Sequence, residues 1–379
     1  MNVKTLLVIL LSLSIAVPSI PMLTMTTANA ASSPVLPKVT SNVQVFEVSS
    51  TANPTYTFSN PVSGSSITTI SINVPTSLSS AAPTNVIVSG VPFTPTINVY
   101  GTGPWTIVIT APSGDVLLPA GASITVSYEF QTISSSYLPS AGTVGATTAV
   151  SVTYSNGNTY SLVSPELYVT AATGYTITPP SSPVTAGTNG AFSIEAVAPS
   201  GVTVSWVPAY IYVPYPSTAP SSAMITYPEV INVSSTQPTY FNVNATYASS
   251  YNVYAYGGKS HTTVSGEIAP GSASFTVVAG SPTMVSVSLS TDVNSYTTDY
   301  ATGPVTVTGV SLTDAFGNPV TMPSGTKITL STSAGILVSG GSLTWTSPSS
   351  LSYGTQLSTT LSSSATSVSG PTLYPPVSY

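Results

Sequence analysis

The stretch "LTDAFGNPVTMPSGTKITLSTSAG", Leu312 to Gly335, reads as a turn and a strand of a β-sandwich. Asp314 opens an acidic turn carrying Gly317, Asn318 and Pro319, residue types that favour chain reversal. Beyond it, Ile328 and Leu330 alternate with Lys327 and Thr329, the period of two expected of a strand with one buried face. Just upstream, in "PVTVTGVSLTD", the inward set is Val305 and Val307, then Val310 and Leu312. That slip by one at Gly309 is what a β-bulge requires.

The same period runs outward from this stretch through nearly the whole chain. Ile70, Ile72 and Val74 alternate with polar residues, as do Trp105, Ile107 and Ile109. Ile124, Val126, Tyr128 and Phe130 continue the pattern, followed by Val150, Val152 and Tyr154. Gly, Pro, Asn and Ser clusters bound each run, the signature of short antiparallel strands. "YSNGNTY" supplies an Asn-Gly hairpin turn between Tyr154 and Tyr160. Phe192 with Ile194, and Val202 with Val204 and Trp206, predict two further strands, and Val285, Val287 and Leu289 a third. No segment has a helical period. The fold expected is all-β, tandem Ig-like antiparallel β-sandwiches. A cleaved secretory signal is expected over 1–30, with sandwiches over 31–171, 172–280 and 281–379. The signal reading rests on Lys4, the apolar run Leu6 to Val17, and the small-residue site Ala28-Asn29-Ala30.

"FTVVAGSPTMVSVSLS" followed by "VTVTGVSLTDAFGNPVTMPSGTKITLSTSAG" resembles the junction and first half of invasin/intimin-type bacterial Ig-like domains. The resemblance covers Ser274 to about Gly335, and the D-x-x-GNPV turn is its most specific part. It implies tandem Greek-key sandwiches of the kind used as rods on cell surfaces. In composition the whole chain also resembles envelope proteins of thermoacidophilic archaea, in particular the small stalk subunit of their S-layers. Those subunits add a coiled coil and a C-terminal membrane helix. This sequence shows neither, so either attachment runs through other envelope or S-layer proteins or copies of itself, or the anchoring part is missing from this chain.

Charged residues are 4% of the 379, against about 25% in ordinary globular proteins. With four lysines, no arginine and one histidine, the chain cannot build a basic groove, which excludes nucleic acid as a partner. Hydrophobic residues at 42% exclude a disordered chain. No stretch after the signal approaches the roughly 20 apolar residues of a membrane-spanning helix. The absence of cysteine removes disulfides, thiol catalysis and zinc–thiolate sites. A chain with so few carboxylates changes charge little on acidification, so a stability nearly flat between about pH 2 and 7 is expected, as suits acidic surroundings.

Chemistry is hard to find. The ten acids, Glu47, Asp115, Glu129, Glu166, Glu195, Glu229, Glu267, Asp292, Asp299 and Asp314, are scattered, and no aspartic-protease loop occurs. His261, the one imidazole, follows Ser260 without a nucleophile-elbow pattern and reads as solvated surface. Asp292, Asn294, Asp299 and Asp314 offer oxygen ligands that calcium would accept, but their spacing fits no defined loop and suits Asx-turns better. Neither a metal nor a cofactor is expected. The tyrosines are the distinctive feature. Tyr210, Tyr212, Tyr251 and Tyr254 are candidate interface residues, because tyrosine joins a large rigid contact to a polar tip. Asn232 and Asn244 head N-glycosylation sequons in the same region.

These features predict a non-catalytic, extracellular, structural protein of the cell surface, an S-layer or S-layer-associated rod-like spacer. The alternatives are a secreted acid-stable hydrolase of the low-charge archaeal peptidase type, or an adhesin or filament subunit.

Overall fold

The structure is a computed structural model that describes residues 37–42, 44–62, 64–289, 305–331, 336–338 and 356–374. The expected signal segment 1–30 and the residues Asp292, Asn294 and Asp299 lie outside the described residues. Strands dominate what is described, and the only helical element among those residues is a single 3-10 turn, Ser135–Tyr137.

In the first sandwich, one sheet orders Lys38–Ser41, Thr55–Ser59, Ser123–Gln131 and Thr51–Ala52, with Thr84–Ser89 also paired to Ser123–Gln131. The opposing sheet runs Thr159–Leu162, Ala149–Tyr154, Ile67–Val74, Trp105–Thr110, Thr96–Tyr100. The alternating residues read from the sequence form its core. Ile70, Ile72, Ile107, Ile109, Val126 and Tyr128 are all fully buried, and Tyr128 stacks on Tyr56 at 5.9 Å. The Asn-Gly turn closes the hairpin in which Thr153 faces Thr159.

The second sandwich has the strand order of an Ig-like domain. One sheet is Gly174–Thr178, Asn189–Val197, Thr239–Ala245, Ile225–Thr226; the other is Val184–Thr185, Gly271–Val278, Ser250–Tyr256, Val207–Tyr212, Val230–Val233. The chain enters on the first sheet and crosses to the second, where Val184–Thr185 lies parallel to the last strand, Gly271–Val278. Phe192 forms the centre of the core, against Phe241 at 5.4 Å and Phe275 at 5.1 Å.

In the third sandwich, Met284–Leu289 pairs with Val305–Thr313, and their register shifts where Gly309 was expected to bulge. Val307, Val310, Met322, Ile328, Leu361 and Val368 make a small core. Val285 and Val287 face outward instead, at 65% and 45% exposure.

One predicted strand is absent. Val202 to Trp206 is irregular and the strand begins at Val207. Val204 and Ser205 give their backbone N–H groups to Ser235 Oγ and to the Ala141 carbonyl, so they have no ladder to join. Trp206 turns onto Tyr168 of the first sandwich, edge to face at 5.7 Å.

Candidate functional site: an aromatic face between two clamped junctions

The first and second sandwiches meet through a three-residue strand, Val45–Glu47. Alternation sends its neighbouring side chains to opposite sides, so Val45 is buried in the core of the second sandwich and Phe46 in that of the first. The connection between Ser250–Tyr256 and Gly271–Val278 docks on this strand. The Gly257 carbonyl accepts N–H groups from Gln44 and Val45, both at 2.9 Å, and the Gly266 carbonyl accepts that of Glu47 at 2.8 Å.

Glu267 ties the docked loop to itself, accepting the Gly257 and Val264 N–H groups at 2.9 and 3.0 Å. Burial pushes its carboxyl up to about 7, with those two hydrogen bonds opposing the rise. The folded state therefore holds a proton that the unfolded chain, with an ordinary value of 4.5, has lost. Stability falls as pH rises through this window and is recovered on acidification, by on the order of 1–2 kcal/mol once partial solvent exposure is allowed for. Asp314 has the opposite sign. Burial raises its carboxyl, but hydrogen bonds from Asn318, Gly280 and Phe316 outweigh this and lower it below 3.8. Its contribution is present above 3.8 and is lost as pH falls through the folded value. Together these two shifts predict a shallow stability maximum near pH 4 in place of the flat profile expected from composition. Melting temperatures from pH 2 to 8 should show it, and Glu267→Gln should remove the decline toward neutrality.

The second and third sandwiches are joined by the turn from Asp314 to Asn318. Asp314, 2% exposed, accepts four N–H donors. These are the backbone groups of Gly280, Phe316 and Asn318, and the Asn318 side-chain amide, all at 2.8–3.0 Å. Asn318 then reaches into the second sandwich, donating to the Thr246 carbonyl and accepting from Ala248 N–H, both at 2.7 Å. Phe316 lies so close over Gly187 that a methyl group there would stand 2.3 Å from its ring. Asp314 therefore serves as an Asx-turn and junction residue, its oxygens taken by N–H groups. The two junctions use opposite ends of the strand Ser250–Tyr256, since residues 246–248 precede it and 257–267 follow it.

Between them lies the outward face of the sheet. Tyr210 pairs with Tyr256 and Tyr212 with Tyr254, so all four side chains fall on one side, while Ile211 and Ala255 point to the core. His261 joins them from the docked loop. Its φ of +54° is a conformation that residues other than glycine rarely adopt, and it sets the imidazole flat on Tyr212, ring centres 3.9 Å apart. Tyr256 is 5.6 Å from His261 and Tyr254 is 5.9 Å from Tyr256, which makes a row of four rings. His261 is thus half-buried in an aromatic row, not the free surface residue expected. Burial lowers its basicity, with Glu229 opposing. Ser260 donates its hydroxyl to the Asn42 carbonyl at 2.7 Å, a structural bond at the first junction.

Beside the row opens a cleft of about 540 Å³ lined by Tyr210, Tyr215, Tyr227, Glu229, Lys259 and His261, among others. Lys259 and Glu229 pair at 2.7 Å across its rim, the one ion pair among the described residues.

Two of the four candidate interface tyrosines are corrected by burial. Tyr251 is 3% exposed and stacks on Phe275 in the core; its neighbours Val253 and Ala255 are core residues too. Tyr210 is on the outward side but only 6% exposed, at the wall of the cleft. Burial, then Glu229 and Glu166, push its hydroxyl up to about 12. Tyr212 and Tyr254 remain half-buried on the outward face. Of the sequon asparagines, Asn232 is exposed on the edge strand Val230–Val233, whereas the Asn244 amide already donates to the Gly187 carbonyl at 2.9 Å.

No family model matches the chain, and no curated protein does. Among solved structures it is similar to the Escherichia coli adhesin FdeC, at 15% identity, covering 90% of this chain and 97% of that one, TM-score 0.26. An Ig-like protein from Nocardia farcinica matches at 16% identity over 33% of this chain and 82% of its own, TM-score 0.26. The Bacillus cereus major pilin subunit BcpA matches at 10% identity over 58% and 59%, TM-score 0.27. At these scores the likenesses carry no weight; the strand order of the second sandwich defines the fold.

Proposed function

We propose that this chain is a non-catalytic structural protein of the cell surface, an S-layer or envelope component that holds other parts at a fixed spacing. One observation carries the reading. Both junctions are clamped by hydrogen bonds to backbone groups at opposite ends of the second sandwich, and an aromatic face is left open between them. Clamps of that kind suit a rod-like spacer built from units over 31–171, 172–280 and 281–379. The open face suits lateral contact with a second copy or another envelope protein.

With so few charges, such contact must rest on shape, hydrogen bonds and aromatic burial, for which Tyr212 and Tyr254 are placed. Export through the segment 1–30 puts the chain outside the cell, where Asn232 is the better placed of the two sequons to carry a glycan. The double variant Tyr212→Ser/Tyr254→Ser should weaken self-association at least about tenfold while the second sandwich stays folded. Sedimentation velocity and thermal melting of both proteins read the two effects. Association at wild-type strength would remove the face from the account, and loss of folding would return the pair to the core.

A further inference from the structure

We infer that the cleft beside the ring row is a binding site for a neutral saccharide. The inference rests on the reading of this side of the second sandwich as the working surface. It adds a ligand class that the lateral-contact reading does not need.

Size comes first. About 540 Å³ lies within the usual range of small-ligand sites and has room for roughly two or three sugar rings. Chemistry narrows the class. The walls alternate ring and aliphatic surface with hydrogen-bonding groups. Tyr215 is 56% exposed, and Tyr227, His261 and Ile225 are half-buried along the lining. A pyranose presents the complement, apolar C–H faces edged by hydroxyls, which suits rings that are apolar in body and polar at the tip.

The polar groups are free in the right sense. The Tyr215 oxygen accepts the Ile225 N–H at 3.3 Å, which leaves its own proton to donate. Glu229 pairs with Lys259 through one carboxylate oxygen, so the other can accept hydroxyl protons, and the Thr226 hydroxyl can do either.

Charge excludes the competing small ligands. Carboxylate and ammonium cancel across the rim, and burial disfavours the charged imidazole. Above the lowered value of the imidazole the cleft thus has no net charge with which to select an anion or a cation. Three of the few ionisable side chains in this chain meet here, and they meet in balance.

The test uses the full secreted chain from a host without N-glycosylation, titrated with neutral tetrasaccharides of glucose, mannose, galactose and N-acetylglucosamine. A sulfated tetrasaccharide and a proline-rich decapeptide serve as comparisons. Calorimetry and saturation-transfer NMR should find at least one neutral sugar bound in preference to both comparisons. Tyr215→Ala should weaken it about tenfold or more. Glu229→Gln, at a side chain 67% exposed, should weaken it as well, and keeps the test valid if the tyrosine variant fails to fold. The glycosylated chain separates the sources. Weaker uptake of free sugar by that form assigns the cleft to the protein's own glycans, and unchanged uptake assigns it to saccharide from elsewhere. Preference for the sulfated sugar or the peptide, binding of no neutral sugar, or variants that bind like the wild type would each overturn the assignment. Sedimentation of the Tyr212/Tyr254 variant reports on the lateral-contact reading alone, so the two can fail separately.

Discussion

Asp314→Ala should cost about 3 kcal/mol or more and release the third sandwich from the second. The substitution takes the acceptor from four N–H groups, of which the two of Asn318 are buried and those of Gly280 and Phe316 part-buried, and each buried orphan costs on the order of 1–3 kcal/mol. It also frees Asn318, whose amide is held against Asp314 while it spans to Thr246 and Ala248. Among the described residues the core of the third sandwich is small, Val307, Val310, Met322, Ile328, Leu361 and Val368. Calorimetry should therefore show a separate transition at lower temperature, with the transition of the first two sandwiches in place. Asn318→Ala, which spares the Asp314 contacts to Gly280 and Phe316, should loosen the junction by less. A single transition at the wild-type temperature in both variants would mean that the turn does not couple the two sandwiches.

Phe46→Ala should cost about 3–5 kcal/mol, the range for truncating a fully buried aromatic side chain. The ring meets Phe130 edge to face at 5.8 Å in the first core. The consequence should extend beyond that core. Phe46 sits on the strand whose backbone receives the Gly257–Glu267 loop, and whose other buried neighbour, Val45, belongs to the second core. Loss of the ring should thus raise amide hydrogen exchange at Gln44, Val45 and Glu47, and at Gly257 and Val264 across the junction. Destabilisation confined to the first sandwich, with the loop as protected as before, would contradict a junction built on that strand.

The cores were legible because their strands have one wet and one dry face, and the period of two records it. Ile70, Ile72, Ile107 and Ile109 are buried as the alternation requires, and the bulge at Gly309 is where the inward set changes step. The same rule failed over Val202 to Trp206, where Val202 bonds Pro199, Val204 bonds Ser235 and Ser205 bonds Ala141 in place of a neighbouring strand.

The site was only half legible. Tyrosine-rich strands announced an aromatic region, but alternation cannot say which side of a two-faced apolar strand is covered. Tyr251 therefore proved to be core, and Tyr210 the wall of a cleft. His261 was missed because its place depends on a left-handed backbone and on a loop docked against residues more than 200 positions away. A Gly-Gly pair before a lone histidine was the sole sequence signal. The raised carboxyl of Glu267 had none, since burial at a junction leaves no local pattern.

If clamped junctions make this chain a stiff spacer, as proposed, small-angle scattering of the full chain at low concentration shows it most directly. A compact globule of this length would have a radius of gyration of about 20 Å. A stiff spacer should give a value well above that, a pair-distance distribution skewed like that of a rod, and an increase in flexibility on Asp314→Ala. A radius near 20 Å, or wild-type scattering already that of independently tumbling beads, would contradict it.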